Sequence, residues 1–567
     1  MSSSEISKVQ IYDSRVVQNR PVFGVNLGAS SVTSTPFNAI AANSSQMTFN
    51  VNAPSESVYL DKAVMWSSTC YMKVVLTPPG GGWTGVAGDP LASFGSTTAT
   101  GMALCAFPLH ECTNTMSATI NDTTVVTNTS DLLHPILRLC DGLENRDERV
   151  CPSMLDNSTT YSEMVGFGNN VLSGYADAKY GFMGNGAYND VHWVTSGGLP
   201  SVAPVVPAAP GNAVTAYVKF SSTERLVLSP FNFNDAEQGT GLFGIQNIQC
   251  VFNLQQPSRV LRWAGGQALS GTMTTEYQNV NGSPFINSKL TCRFLTPPIS
   301  LPLPSKNFVP FQNYARYISS SFPTLNSGQS ALLQSQTIVL PAIPDLLAVF
   351  CRPQNRGDGT EADWFLPLRD INITFDNRAG LLSSENTENL YQTSYKNGLR
   401  IPYEQWMGDA TMNNADVNTQ GGFILLKPGT DFALSAGLAP GVHGSYSLQI
   451  NTTAYNQSGR NVVPQLYVMC VDSGFFCSQR GQSRVIKAPL TEQDVINAPK
   501  AGTSQSVERL VGAGFFGKLG NALGKAAKFG WKHKDDIAQG VQVGRKLLGK
   551  GSVSGGAAPK SLANRLM

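Results

Sequence analysis

The chain has 567 residues, of which only 14% are charged, and its formal net charge is +2. Soluble proteins usually carry about 25% charged residues, and a surface so poor in charge is unfavourable for a free monomer because little repulsion keeps copies apart. The start of the chain lacks a signal-peptide pattern and no apolar run of about 18 residues follows, so we expect synthesis in a reducing cytosol, without secretion or membrane spanning.

The first part of the chain predicts β structure. Residues 1–45 lack clear periodicity and are interpreted as an N-terminal arm that reaches a neighbouring subunit. The long loops Pro78–Gly101 and Gly174–Gly211 are rich in Gly, Pro and Ser, which favours surface recognition or contact with neighbours. Short alternating or β-branched segments predict strands at Met47–Val51, Cys70–Leu76, Ser117–Val126 and Ala216–Phe220.

A domain boundary is predicted near Gln255–Ser258, after the mostly apolar run Ile248–Leu254. An antiparallel sandwich with long loops needs about 150–220 residues, so two fit, over residues 46–256 and 257–488. Neither βαβ spacing nor a long helical period occurs before residue 500, which favours antiparallel sandwiches. In the second domain, strands are predicted at Lys289–Leu295, Thr337–Leu340, Asn372–Phe375, Tyr446–Asn451 and Gln465–Val471.

Ordered sequence landmarks resemble those of a known family. In the first half they are Phe107–Leu109, Ser117–Asn121, Glu224–Leu226, Ser229–Phe231 and Gly241–Asn247. In the second half they are Ile343–Leu347 with Arg352–Pro353, Ile373–Asn377, Leu381–Ser383, Leu390–Gly398, Lys427–Phe432 and Gly444–Leu448. Together they resemble the double jelly-roll major capsid proteins of virophages, polinton-like viruses and adomaviruses, in the lineage of the adenovirus hexon.

This resemblance implies an all-β fold of two tandem antiparallel jelly-roll sandwiches, followed by a short amphipathic helical tail. It also implies homotrimers with a pseudo-hexagonal outline that build an icosahedral shell around double-stranded DNA, with penton or minor capsid proteins as further partners. The protein would be located in the virion capsid. Low charge and long loops are what a lattice subunit should show.

No residue pattern indicates chemistry. The ten cysteines are scattered without a CxxC pair, and His110, His134, His192, His443 and His533 show neither metal-binding nor triad-like spacing. A phosphate-binding loop is absent from the sequence as well. We therefore expect no catalytic residue, no metal and no cofactor.

Arg356, Gly357 and Asp358 form an RGD sequence within a polar run that is typical of an exposed turn. Such a loop presents Arg and Asp on opposite sides of a tight bend, as an integrin ligand does. Gly and Asp are also ordinary turn residues, so a plain loop is the alternative.

Residues 489–567 predict a basic, Gly/Lys-rich tail. From Ala501 onward it contains eleven Lys/Arg and three Asp/Glu, which gives about +8 and leaves the body near −6. In a helical projection the apolar and basic side chains separate onto two faces, with three glycines at their border, so a helix formed on contact is favoured. The membrane or interior-contact candidates are Phe515, Phe516, Lys518, Leu519, Leu523, Lys525, Lys528, Phe529, Trp531 and Lys532.

Three partners for the tail stay open: a membrane, minor proteins inside the capsid, or genomic DNA. DNA would account for the lysines but not for the Phe and Leu stripe. Leu510–Gly514 and Leu547–Gly551 also resemble the sites cut by adenovirus-type cysteine proteases. Cleavage between Ala513 and Gly514 and between Lys550 and Gly551 would release residues 514–550, although Met164–Gly168 matches the same permissive pattern.

The sequence leaves two alternatives to a capsid subunit. One is a non-viral β-sandwich binding protein, which would predict small oligomers and a secretory route. The other is a membrane-lytic effector whose β body only delivers the tail.

Overall fold

The structure is a computed structural model and describes most of the body. The described residues are 28–77, 102–104, 107–139, 190–201, 213–231, 241–263, 272–301, 303–354, 365–399, 403–407, 409–412, 415–418, 421–457, 461–487 and 490–498.

The first sandwich is formed by antiparallel strands that run from residue 31 to residue 296. Their order is β7-β6-β10-β2-β1-β13-β4-β9-β8, with β3 and β12 alongside β13 and β4, and a separate β5–β11 pair. The strands are β1 (Ser31–Ala42), β2 (Gln46–Asn52), β3 (Tyr59–Leu60), β4 (Met65–Thr77), β5 (Met102–Leu104), β6 (Thr113–Ile120), β7 (Thr123–Asn128), β8 (Asp190–Val194), β9 (Val214–Arg225), β10 (Asn247–Leu254), β11 (Leu261–Trp263), β12 (Thr272–Tyr277) and β13 (Phe285–Thr296).

Strand β1 joins the two layers of this sandwich. Its first part pairs with β13. Its last residues, Ala39–Ala42, pair with β2, with a register shift between Ala39 and Ala41. Period-two alternation then turns one face of each strand inward, as in β2, where Met47, Phe49 and Val51 are buried. Trp66 of β4 meets Phe252 of β10 at 4.8 Å between ring centroids, so the two layers share one core.

The second sandwich is formed by strands between residues 307 and 487. One sheet has the order β14-β24-β17-β22 with β25 beside β24, and the other has β15-β23-β18-β19 with β16 beside β23; β20 and β21 form a separate pair. The strands are β14 (Asn307–Ser319), β15 (Ser330–Gln334), β16 (Ile338–Ala342), β17 (Leu346–Pro353), β18 (Asn372–Phe375), β19 (Arg378–Leu381), β20 (Asp409–Met412), β21 (Ala415–Asn418), β22 (Ile424–Leu426), β23 (His443–Tyr455), β24 (Pro464–Gln479) and β25 (Gln482–Lys487).

Short helices connect these strands. They are α1 (Pro108–Glu111), α2 (Thr129–Leu139), α3 (Thr387–Lys396), α4 (Tyr403–Met407) and α5 (Glu492–Ile496), with a 3-10 turn at Pro257–Arg259. Each of α3 and α5 starts at a side-chain cap: Asn386 accepts from the Asn389 N–H, and Thr491 forms a capping box with Asp494.

Three sequence predictions differ from the observed elements. Ser117–Val126 is a hairpin, because Asn121 takes a positive φ of 53° and reverses the chain between β6 and β7. The predicted loop Gly174–Gly211 contains β8. The residues given to the arm include β1, which is a full member of the first sandwich.

Strand pairing passes from the first sandwich to the second between Thr296 and Asn307. The predicted boundary at residues 256 and 257 lies earlier, within the first sandwich, because β12 and β13 return to pair with β4. The apolar run before Gln255 ends a strand and not a domain.

Candidate functional site: the joint between the two sandwiches

Helix α2 belongs by sequence to the first sandwich but packs into the core of the second. It begins at Asn128, whose side chain accepts a hydrogen bond from the Asp131 N–H at 3.0 Å. Its buried apolar face joins the core cluster of the second sandwich through Leu132, Leu133, Ile136 and Leu137.

The exchange of core residues runs in both directions. Val309, Phe311 and Phe476, from strands β14 and β24 of the second sandwich, belong to the core cluster of the first. Phe107 and Val227 of the first sandwich belong to the cluster of the second. The two sandwiches are therefore joined by a continuous apolar contact.

A proline lies inside helix α2 and is compensated from outside. Pro135 has no N–H, so the carbonyl of Asp131, four residues earlier, lacks its helical donor. Arg352 of β17 donates to that carbonyl through Nη1 at 3.0 Å. Arg259 donates to the neighbouring carbonyl of Ser130 through Nη1 at 2.5 Å. One arginine from each sandwich thus donates to a carbonyl in the turn of helix α2 that precedes Pro135.

Arg352 is fully buried in the second sandwich. Its guanidinium carbon lies 4.6 Å from the ring centroid of Phe365 and 5.0 Å from that of Phe350. Aromatic faces attract a cation, and this attraction is stronger where water is excluded. The rings therefore offset part of the cost of burying this charge and hold it beneath helix α2.

Carboxylates on the first sandwich complete the joint. Asp131 accepts from Nε of Arg316 of β14 at 2.5 Å, which is an ion pair between the sandwiches. Glu111 accepts from His134 Nε2 at 2.5 Å and lies 3.4 Å from Nε of Arg259. Since buried charges are stable only when paired, these contacts fix α2 in one position.

A buried group of hydrogen bonds around Glu224, which we call the clamp, brings two of the sequence landmarks into contact. Glu224 of β9 accepts from the backbone N–H groups of Leu109 at 2.8 Å and His110 at 3.0 Å, and from Nδ1 of His110 at 2.5 Å. The Val227 N–H donates to Nε2 of the same ring at 3.2 Å, so the ring proton lies on Nδ1. The clamp joins Phe107–Leu109 to Glu224–Leu226 and holds α1 against β9.

A third contact ties the turn between β24 and β25 to the end of the first sandwich. Asn121 accepts from the Gln246 N–H at 2.8 Å and donates to the Gly244 carbonyl at 3.2 Å. That carbonyl also accepts from the Gly481 N–H at 3.1 Å, and Ser483 donates its N–H to Asp122 at 2.7 Å. The landmarks Ser117–Asn121 and Gly241–Asn247 are thus in contact with each other, beside the turn of the second sandwich.

Hydrogen bonds also join landmarks of the second sandwich to one another. Asp431 accepts from Asn397 Nδ2 and from the Lys427 N–H, both at 2.6 Å, which joins the end of α3 to the loop after β22. Asp376, at a positive φ of 50°, accepts from the Ser447 N–H at 2.7 Å. Each carboxylate thus ties the landmark that contains it to a second landmark.

The cysteines in the described ranges, seven in number, are free and buried. Burial raises the pKa of the thiols of Cys250, Cys351 and Cys470, and raises that of Cys292 to about 12. A thiol kept protonated is a poor nucleophile and a poor metal ligand. The described residues contain no group of three or more His, Cys, Asp or Glu placed to hold a metal ion.

The remaining candidate residues lie outside the described part of the chain. These are the tail residues from Phe515 to Trp531 and Lys532, the cleavage positions Ala513, Gly514, Lys550 and Gly551, and the RGD residues Arg356, Gly357 and Asp358. Among the helices that the structure describes, none combines the length and the apolar character needed to cross a membrane.

Sequence reasoning did not find the joint. Its arginines are far apart in the chain, and only the three-dimensional fold brings Arg259, Arg316 and Arg352 to one helix. One signal was present: Arg352 directly follows the apolar strand residues Leu346–Cys351 in a chain with few charges. A charge at such a position indicates a buried partner.

Comparison with known proteins finds this architecture in viral major capsid proteins. Residues 4–295 match the family model of the Sputnik virophage major capsid protein first domain, and residues 314–474 match that of the major capsid protein V20 C-terminal domain. The putative capsid protein V20 of Sputnik virophage is 26% identical over 562 residues, covering 93% of this chain and 89% of that protein.

Solved structures agree on the fold. The cryo-EM structure of the Sputnik virophage aligns with a TM-score of 0.71 at 24% identity, over 90% of this chain and 100% of that chain. The crystal structure of the mavirus major capsid protein gives 0.62 at 14% identity, over 88% and 100%. The predicted all-β fold with two tandem jelly rolls is confirmed, and the chain belongs to the Sputnik virophage major capsid protein family, a family of structural subunits of viral capsids.

Proposed function

We propose that three copies of this chain form a capsomer with a pseudo-hexagonal outline, and that these capsomers build an icosahedral shell. The observation that carries this proposal is the joint around helix α2. Three chains give a six-sided block only if each chain holds its two sandwiches at a fixed angle. Arg352 and Arg316 from one sandwich and Arg259 from the other, all bonded to α2, supply that rigidity.

The proposal extends to the two ends of the chain. The part of the N-terminal arm that precedes β1 contacts a neighbouring subunit. Leu490 is buried against the second sandwich, so the tail that faces the particle interior is the part of the chain after α5. There its apolar and basic faces bind a membrane, a minor protein or genomic DNA, and a viral cysteine protease releases residues 514–550. The separation of Lys from Phe and Leu in the sequence supports an interface-seeking role for the tail. The RGD sequence stays a prediction of integrin binding.

Electron microscopy of the purified full-length chain tests the capsomer. Trimers with a hexagonal outline, or closed shells, are the expected result. Monomers or dimers at every concentration examined would contradict the proposal. A variant with Arg316 and Arg352 both changed to Met serves as a comparison, since a loosened joint should blur the hexagonal outline in class averages while the chain stays folded.

A further inference from the structure

One edge of the second sandwich carries no charge. Residues 317–344 contain no Asp, Glu, Lys, Arg or His, although the chain average of 14% charged residues would place about four there. This segment contains strands β15 and β16, which both pair with β23 and, among the described strands, with no other.

Strands β15 and β16 act as one long edge. Between them Ser335 keeps the alignment, because its N–H donates to the Ile450 carbonyl at 2.8 Å and its Oγ accepts from the Ile450 N–H at 2.9 Å. Residues 330–342 therefore run along β23 for about 40 Å. Proteins usually protect such an edge with charged side chains, especially lysine.

The exposed side chains of this edge are apolar or uncharged. Leu332 is 70% exposed and Val339 is 63% exposed, which is far above the exposure of the core residues beside them. We name this surface the uncharged edge; its exposed members are Leu332, Gln334, Gln336, Thr337, Val339 and Pro341. Pro341 lacks an N–H and the strand is interrupted at residues 335–337, so a partner packs on side chains and does not extend the sheet.

A surface of the same character lies on the first sandwich. The outward residues of β2 and β10 include Asn50, Asn52, Gln249 and Asn253, and those of β7 include Val126, which is 61% exposed. The outward positions of β2, β6, β7 and β10 carry no charged side chain. By contrast, Lys73 and Arg293 stand on the outer face of the other layer. We name the outward surface of β2, β6, β7 and β10 the uncharged face.

We propose that the uncharged edge of one copy packs on the uncharged face of a second copy. Two surfaces without charge can be brought together without stranding an ion away from water, whereas a charged partner would lose its hydration against either surface. The edge and the face are different patches, so the contact is heterologous and closes into a ring when the rotation between copies allows it. This inference rests on the proposed capsomer and identifies its contact surfaces.

Charge substitutions on each surface test the contact. Val339→Glu on the edge and Gln249→Glu on the face each place a carboxylate in the buried contact. Because both side chains are exposed in the single chain, the fold should be kept, and circular dichroism and the thermal unfolding midpoint check this. Ile496→Glu is the matched control, since Ile496 is 61% exposed but lies on α5 beside Glu492 and Asp494.

Mass photometry across a concentration series is the measurement. We expect the wild-type chain and the Ile496→Glu variant to associate alike, and each of the other two variants to need at least about a hundredfold higher concentration. Normal association of either variant would overturn the pairing of edge and face while leaving the capsomer intact. A wild-type chain that stays monomeric would overturn both proposals.

Discussion

At the residue scale, helix α2 keeps a proline because Arg352 of the second sandwich replaces the hydrogen bond that Pro135 cannot donate. A proline inside a helix usually ends or kinks it. Here the carbonyl of Asp131, which has no N–H donor at position 135, accepts a hydrogen bond from Arg352, so the helix is attached to the second sandwich at its proline. The cost of the proline and the burial of the arginine are therefore linked.

This link predicts a coupling between two substitutions. Arg352→Met should lower the free energy of unfolding by about 1–3 kcal/mol, because the Asp131 carbonyl loses a charged donor. The loss should be smaller in a Pro135→Ala background, where residue 135 supplies its own N–H. Urea unfolding of the four chains gives the coupling energy.

Arg378→Met is the control for this cycle. Arg378 also donates to a backbone carbonyl, that of Ala433 at 3.2 Å, but at an exposed site away from α2. We expect a small effect that is the same in the wild-type and in the Pro135→Ala backgrounds. An equal loss for Arg352→Met in both backgrounds would show that the arginine does not replace the missing donor.

A buried amine gives a second prediction, on pH. Burial, and next the nearby Arg225, lower the pKa of Lys62 to about 8 from 10.5, while Asp61 acts in the opposite direction. Between those values the unfolded chain binds more protons, so the Lys62 contribution to stability rises with pH and is lost as the pH falls toward about 8.

Lys62→Met removes this titration. Relative to wild type, the variant should be most stable near neutral pH and should lose its advantage as the pH rises toward about 10. Unfolding midpoints in urea at about pH 7, 8.5 and 10 measure the difference. A constant difference between the two chains would mean that the amine has an ordinary pKa in the folded state.

At the element scale, strands were predicted well wherever alternation is regular. β18 has the predicted bounds, Asn372–Phe375, and β2 extends the predicted strand by one residue at each end. Helix α2 was missed because Pro135 interrupts its pattern and its apolar face serves the other sandwich. The landmarks marked hydrogen-bonded turns such as that at Asp376, but sequence order alone does not show that the landmarks touch one another.

The tail gives a prediction at this scale. In mature particles we expect the body to end at Ala513 and the peptide 514–550 to be separate, whereas the chain expressed without the viral protease keeps its full mass. Intact-mass spectrometry distinguishes the two. A Gly512→Val variant, whose first site is blocked, should keep residues 514–550 attached to the body. A wild-type mature chain that retains residues 514–567 would contradict release by proteolysis.

At the scale of the whole molecule, the small number of charges leads us to expect that copies associate through apolar and uncharged polar contacts. Attraction between exposed ions weakens as salt rises, while burial of apolar surface does not. We therefore expect the capsomer to survive a rise in NaCl from about 0.1 M to about 1 M. Size-exclusion chromatography with light scattering checks this, and dissociation into monomers at high salt would indicate contacts based on ion pairs.

The shared cores also bear on synthesis of the chain. Since Phe476 of β24 belongs to the core of the first sandwich, that core lacks a member until the ribosome has added nearly the whole body. Residues such as Phe107 and Leu133 are covered only when the second sandwich has been synthesised, because they belong to its core. We therefore expect a nascent chain to expose apolar surface until late in translation, and an incomplete product to lack the covered core that a stable half-sized subunit would need.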